Sequence, residues 1–401
     1  MDNLREVISN ILSYFENNDF FEQYYEKNFY YGEVSINYEN LLTLSDINNF
    51  FSRNDLQLPF IRMAKDGNPV PYEEYLLDIS AANGFDRIIN VDKVLSKYHN
   101  GTTIILNAGQ LIFNNLRKLC SKLEDFFNFR INANIYITPK NNQGFTPHVD
   151  GHDVIILQIE GEKDWEIYRP IQSLPNSSQA GDLNAEIRNG KELKHLKSIK
   201  LSKGNFMYIP RGFIHEAKCS NEHSIHITIG LFPLLWTNLV SKYLEKVVES
   251  TLPNSSLPTW NTKDNISDYQ SKVDILAKEI SEINISSILN KGAIEKENKA
   301  IKLQNNENRF YDIIKSPNID LNTKVKIRHG VVYNITQSDS YISLGFYEKT
   351  VNLPLLLHST LDFILEHDTF FINELPNEYD DNSKILLIQK LVSEGLLTIV
   401  G

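Results

Sequence analysis

The chain has 401 residues, 41% apolar and 11% aromatic, which excludes general disorder and predicts two or three folded domains. Its formal charge of −11 argues against a basic face for non-specific nucleic-acid binding, although it would suit a basic partner. No apolar run approaches the roughly 20 residues of a membrane span, and the only cysteines, Cys120 and Cys219, form no CxxC pattern for zinc or a disulfide framework.

Met1-Asp2-Asn3-Leu4-Arg5-Glu6 carries early charges of both signs and no apolar core. No secretory signal is therefore expected, and a reducing cytoplasm is the expected location. Leu4, Val7, Ile8, Ile11, Leu12 and Phe15 recur at helical spacing and predict an amphipathic opening helix. Ser45-Asp46-Ile47 opens a second, capped helix. Residues 1–100 read as a mixed region that supports a β-rich core further along the chain.

Residues 101–234 change character. Short β-rich runs fall at Thr102–Leu106, Ile131–Thr138, Val154–Ile159, Trp165–Tyr168, Ile199–Leu201, Phe206–Ile209 and Ser224–Leu231, separated by Gly, Pro, Asn and Lys clusters. Such a series predicts a sandwich or barrel. One helix interrupts it, with Leu111, Leu116, Leu119 and Leu123 on one stripe. Val154–Ile159 and Trp165–Tyr168 read as a hairpin turning at Glu160–Glu162. Residues 235–320 are helical: Leu235, Leu239, Val240, Tyr243, Leu244, Val247 and Val248 share one face, Pro253–Ile266 reads as a polar loop, and Val273, Ile275, Leu276 and Ile280 begin another helix. That apolar face is equally well a core or a homodimer surface. Residues 325–401 predict a small α+β domain like a winged helix, with a hairpin across Gln337–Ser340, helices over Leu355–Leu365 and Asn382–Ser393, and a last strand after Gly395. Past Val351 it carries eight acidic residues, among them Asp362, Glu366 and Glu378, against Lys384 and Lys390, so direct DNA binding is not expected and protein contact is preferred.

The chemistry concentrates in Gln143-Gly144-Phe145-Thr146-Pro147-His148-Val149-Asp150-Gly151-His152. On a strand, His148, Asp150 and His152 would share a face. An imidazole and a carboxylate two residues apart can ligate one metal, and a distant histidine would complete a facial triad with three open positions. Alone, H-x-D is weak, because exposed strand edges carry it too. Its support is Ile209-Pro210-Arg211-Gly212-Phe213-Ile214-His215, where a Pro-x-Gly turn would aim His215 at a site built by another strand. His152 lies roughly 13 Å along an extended strand from His148, too far to be the third ligand, and His223 and His226 lack the turn. Lys163, in Gly161-Glu162-Lys163-Asp164-Trp165, is either a solvated turn lysine or a cation near the barrel interior.

These segments, with Asn132-Ala133-Asn134-Ile135-Tyr136-Ile137-Thr138-Pro139 upstream and His223-Ser224-Ile225-His226-Ile227-Thr228 downstream, resemble the JmjC-type ribosomal oxygenases, a branch of the cupin superfamily. The resemblance implies a double-stranded β-helix (cupin jelly roll), a helical dimerisation region and a C-terminal winged helix. It implies Fe(II) held by His148, Asp150 and His215, and 2-oxoglutarate whose far carboxylate meets Lys163. Asn134 would lie by the cosubstrate or metal and Tyr136 would line the pocket. The implied reaction consumes O2 and 2-oxoglutarate and hydroxylates a protein or peptide side chain, as family members do to ribosomal histidine or arginine. Ile229-Gly230-Leu231-Phe232-Pro233 departs from the hydroxyl-rich segment of animal members, so the resemblance does not carry substrate identity. Two rivals stay open: an oxygenase or isomerase of small molecules or natural-product peptides, and a catalytically silent cupin that only binds.

Overall fold

The computed structural model describes residues 2–17, 19–32, 36–53, 55–77, 88–251, 266–282, 308–328, 331, 333–346 and 349–400. They belong to two compact units, Met1–Pro233 and Leu234–Gly401.

The first unit runs α1 (Asp2–Asn17), α2 (Phe20–Gln23), β1 (Tyr30–Gly32), α3 (Leu44–Phe51), β2 (Ile61–Lys65), β3 (Asn68–Pro69), α4 (Val91–His99), β4 (Thr103–Leu106), α5 (Gly109–Ile112), α6 (Asn114–Phe127), β5 (Arg130–Thr138), β6 (Asp153–Tyr168), α7 (Ser177–Arg188), β7 (His195–Ser202), β8 (Phe206–Ile209), β9 (Ile214–Lys218) and β10 (Ser224–Phe232). Every strand pairing is antiparallel, in the order β1-β8-β6-β10-β5-β4-β2-β3, with β7 and β9 added to β6. Strands of the N-terminal hundred residues thus extend the sheet. Their helices cover its outer face, where Val7, Ile11 and Phe15 of α1 join Leu116, Leu119 and Leu123 of α6 in the main core. Burying each such side chain contributes on the order of 1.5–3 kcal/mol. Thr43, rather than Ser45, caps α3: its hydroxyl accepts the Asp46 N–H while Asp46 takes the Thr43 N–H.

The hairpin expected at Glu160–Glu162 does not form. β6 is one bent strand of 16 residues. Its first half pairs with β8 and β10, and its second half with β7 and β9. The bend comes at Gly161, whose φ of +64° favours glycine. A Cβ there would lie 1.8 Å from the His223 carbonyl oxygen. Residues 153–159 are buried on both faces, hence the unbroken apolar run; beyond the bend Lys163, Trp165 and Ile167 face inward while Asp164, Glu166 and Tyr168 alternate outward. Val154, Ile156, Trp165 and Ile167 share an inner core with Ile199, Leu201, Met207 and Phe213. Both halves of one strand therefore wall the same interior.

In the second unit α8 (Trp236–Thr251) and α9 (Ile266–Ser281) lie beside one another, and the polar loop expected between them falls almost wholly on residues 252–265, outside the described ones. Trp236, Val240, Val273 and Ile275 are exposed. Strands β11 (Lys324–Ile327), β12 (Tyr333–Gln337), β13 (Tyr341–Phe346), β14 (Lys349–Pro354), β15 (Thr369–Phe371) and β16 (Leu397–Ile399) make two three-stranded sheets, ordered β15-β11-β16 and β12-β13-β14. Helices His358–Glu366 and Asp381–Glu394 pack Leu361, Ile364, Ile388 and Leu391 into their shared core. Asp312 and Arg328 form a buried ion pair that also holds Thr398. Gly395, at φ +91°, ends the last helix.

Candidate metal centre

His148 and Asp150 do not stand on a regular strand. Residues 144–152 are irregular apart from one bridge, in which the His148 N–H reaches the His215 carbonyl at 3.1 Å and the His215 N–H returns to the His148 carbonyl at 2.9 Å. The Gly212 N–H adds a bond to the Asp150 carbonyl at 3.3 Å. Between His148 and Asp150, Asn184 of α7 grips Val149 by both its N–H and its carbonyl, each at 2.8 Å. Backbone lacing, rather than strand alternation, therefore brings the motif against the turn that delivers His215. His152, the rejected ligand, turns aside and stacks on Phe232 with ring centroids 4.4 Å apart.

One donor atom each from His148, Asp150 and His215 lies within 4.8 Å of the others, and among the described residues His, Cys, Asp and Glu gather at metal-ligand spacing only here. Each histidine sets its Nδ1 against a carbonyl, His148 on Thr146 at 3.0 Å and His215 on Phe213 at 3.1 Å. That arrangement holds the proton on Nδ1 and leaves Nε2 as the free lone pair, the tautomer a metal needs. The His215 Nε2 is 3.7 Å from Asp150 Oδ2. Burial drives the His215 imidazolium down to about 4, so the ring is neutral near pH 7. Desolvation opposes ionisation of Asp150, but His148, His152, His215 and Arg62 outweigh it and hold the carboxyl below its ordinary value. Two imidazoles and one carboxylate fit a divalent ion with open positions.

Lys163 lines the same cavity, 4% exposed, its Nζ 3.2 Å from the Thr138 hydroxyl. Burial pushes its ammonium down to about 8. Tyr136 lines the cavity too, as do Thr103, Trp165 and Thr228. Asn134 is not among the lining residues: its Oδ1 accepts the Ala108 N–H at 3.1 Å, and its side chain supports the Tyr136 hydroxyl. His226, set aside as a ligand, lines the cavity as a flat partner of Tyr136, their ring planes 1° apart at 4.8 Å. The two residues face each other across β5 and β10, and the alternation of two adjacent strands was a signal for that pairing. Arg62 had no such signal, since only the pairing of β2 with β4 sets it near Tyr136 and over Phe145.

Residues 108–239 match the JmjC domain family. A curated relative, the bifunctional lysine-specific demethylase and histidyl-hydroxylase NO66 of Drosophila persimilis, is 34% identical over 194 residues, 46% of this chain and 27% of that protein. NO66 of Dictyostelium discoideum is 33% identical over 243 residues, 58% of this chain and 44% of that protein. Ribosomal oxygenase 1 of Gallus gallus is 35% identical over 159 residues, 39% of this chain and 25% of that protein. The chain thus spans less than half the length of these relatives. Among solved structures, YcfD, a ribosomal oxygenase from Escherichia coli, aligns over 96% of this chain and 97% of its own, with a TM-score of 0.54 at 14% identity. YcfD in complex with cobalt and 2-oxoglutarate gives 0.51 at 13% over 96% and 98%; at such identity the likeness concerns the fold. Residues 108–239 accordingly carry a match to the JmjC domain family on an antiparallel β core, and part of the chain is similar to the NO66 and ribosomal oxygenase proteins.

Proposed function

We propose that the chain is an Fe(II)- and 2-oxoglutarate-dependent oxygenase that hydroxylates a side chain of a protein or peptide, with histidine or arginine of a ribosomal protein as the leading class. The observation that carries it is the convergence of His148, Asp150 and His215 with the buried Lys163 on one cavity. Bound by the triad, ferrous iron would supply the activation of O2 that couples decarboxylation of 2-oxoglutarate to hydroxylation of an unactivated C–H bond. The chain's own residues set the geometry. Lys163 offers its ammonium to the far carboxylate of the cosubstrate. Val154, Ile156 and Trp165 wall the cavity against water, and the two carbonyl-anchored imidazoles keep their Nε2 atoms aimed inward. Lys163 also favours this reading over a cupin that uses no dicarboxylate, which would have no use for a buried cation.

Incubation with Fe(II), 2-oxoglutarate and ribosomal proteins should yield succinate together with a peptide heavier by about 16 Da, the mass of one oxygen added by this chemistry. His215→Ala should yield neither product. Iron uptake with no turnover of 2-oxoglutarate on any protein substrate would overturn the proposal in favour of a silent binding protein. The same proposal includes self-association through α8 and α9, supported by their exposed Trp236, Val240, Val273 and Ile275. It also treats residues 325–401 as a winged-helix-like module for protein contact, supported by the acidic residues past Val351.

A further inference from the structure

A buried polar network joins the two ligand-bearing segments and reaches beyond residues 108–239 into the N-terminal region. Arg211 is the middle residue of the Pro-Arg-Gly turn that delivers His215, and it is 6% exposed. Its Nη1 donates to Asp153 Oδ1 at 3.1 Å and its Nη2 to Glu26 Oε1 at 2.6 Å. Asp153, fully buried at the start of β6 and three residues past Asp150, also accepts the Arg211 backbone N–H at 3.0 Å and the Tyr208 hydroxyl at 2.6 Å. The Tyr208 oxygen in turn accepts the Glu26 N–H at 3.1 Å, which closes the ring of contacts.

Two features set this network apart from ordinary core filling. Glu26 stands at φ +58°, a left-handed conformation strained for a residue with a Cβ, and it is held there by its N–H bond to Tyr208. A buried ion pair is also a poor way to gain stability, because desolvation offsets most of the attraction between the charges. What such a network does supply is geometry. Arg211 is four residues from His215 and Asp153 three from Asp150, so the ion pair fixes the turn against the segment that carries the other two ligands.

We propose that Glu26, Arg211 and Asp153 are positioning residues of the metal centre, through which the N-terminal region sets how tightly the triad holds its ion. The proposal rests on the reading of His148, Asp150 and His215 as metal ligands. Its test uses the full-length, metal-free chain titrated with Co(II), following affinity by calorimetry, the visible absorption of the bound ion, and the thermal unfolding midpoint. Glu26→Ala, at a partly exposed side chain, should weaken Co(II) binding about tenfold or more and alter the absorption spectrum. Glu26→Gln keeps an acceptor for Arg211 Nη2 and should recover most of the affinity. Arg328→Met, which breaks the comparable buried pair with Asp312 in the second unit, should lower the midpoint and leave Co(II) affinity as in the wild type. Affinity within twofold of wild type in Glu26→Ala, or an equal loss in Arg328→Met, would overturn the proposal while the triad reading stood. A wild-type chain that takes up no Co(II) would overturn the triad reading, and this proposal with it.

Discussion

At the scale of single residues, Lys163 shows how position converts an ordinary side chain into a recognition element. Enclosed beside Thr138, its ammonium is destabilised to about 8, and a carboxylate arriving in the cavity would restore what burial removes. The sign comes from the protonated form being the one that binds. Affinity for 2-oxoglutarate should be flat below about pH 7 and fall as pH rises through about 8, approaching tenfold per further unit. Calorimetric titrations between about pH 6 and 9.5 would show it, and a flat profile across that range would contradict the assigned role. Lys163→Ala should weaken binding by about 30-fold or more, corresponding to the roughly 2 kcal/mol or more lost when one member of a buried charge pair is removed. The triad was legible because H-x-D and the Pro-x-Gly turn before His215 are local patterns. Arg62 was not, because it lies in no motif and reaches its place only through pairing between strands distant in sequence; His226 was weighed and set aside for want of a turn, although strand alternation pairs it with Tyr136.

At the scale of elements, β6 carries most of what sequence periodicity misjudged. Gly161 between two apolar segments reads as a hairpin turn, yet here it lets one strand bend and serve two sheets. Local sequence does not distinguish a strand that reverses from one that bends, since a φ-permissive glycine suits both, and the pairing of β7 and β9 with the second half decides. Gly161→Ala should cost on the order of 2 kcal/mol or more, from a strained φ and a clash with the His223 carbonyl, and lower the thermal midpoint. An unchanged midpoint would mean that the bend does not depend on this residue. Helix α7 escaped the sequence reading for a related reason. Its inner face is short, with Ala180 and Leu183 as its buried residues, and its purpose shows only in the grip of Asn184 on Val149.

At the scale of the whole molecule, every residue assigned to the metal centre, its cavity and the Glu26 network lies within residues 1–233. A fragment of those residues should therefore bind Co(II) as the full chain does. If α8 and α9 join two copies, light scattering should find the full chain dimeric and the fragment monomeric. A fragment unable to bind Co(II) although folded by circular dichroism would show that the second unit contributes to the site.

The sequence by itself determined the β-rich core, the helices around it, the hairpin and closing strand near the C-terminus, and the three side chains that converge at the candidate metal centre. Those features rest on period, capping and turn chemistry, which act within a few residues. Only the tertiary structure decided that β6 bends, that His148 and Asp150 sit on a laced loop, that Lys163 is buried, and that Glu26 reaches the turn before His215. Each of these depends on contacts between segments far apart in the chain, and no local pattern encodes which of two compatible backbones such contacts will select.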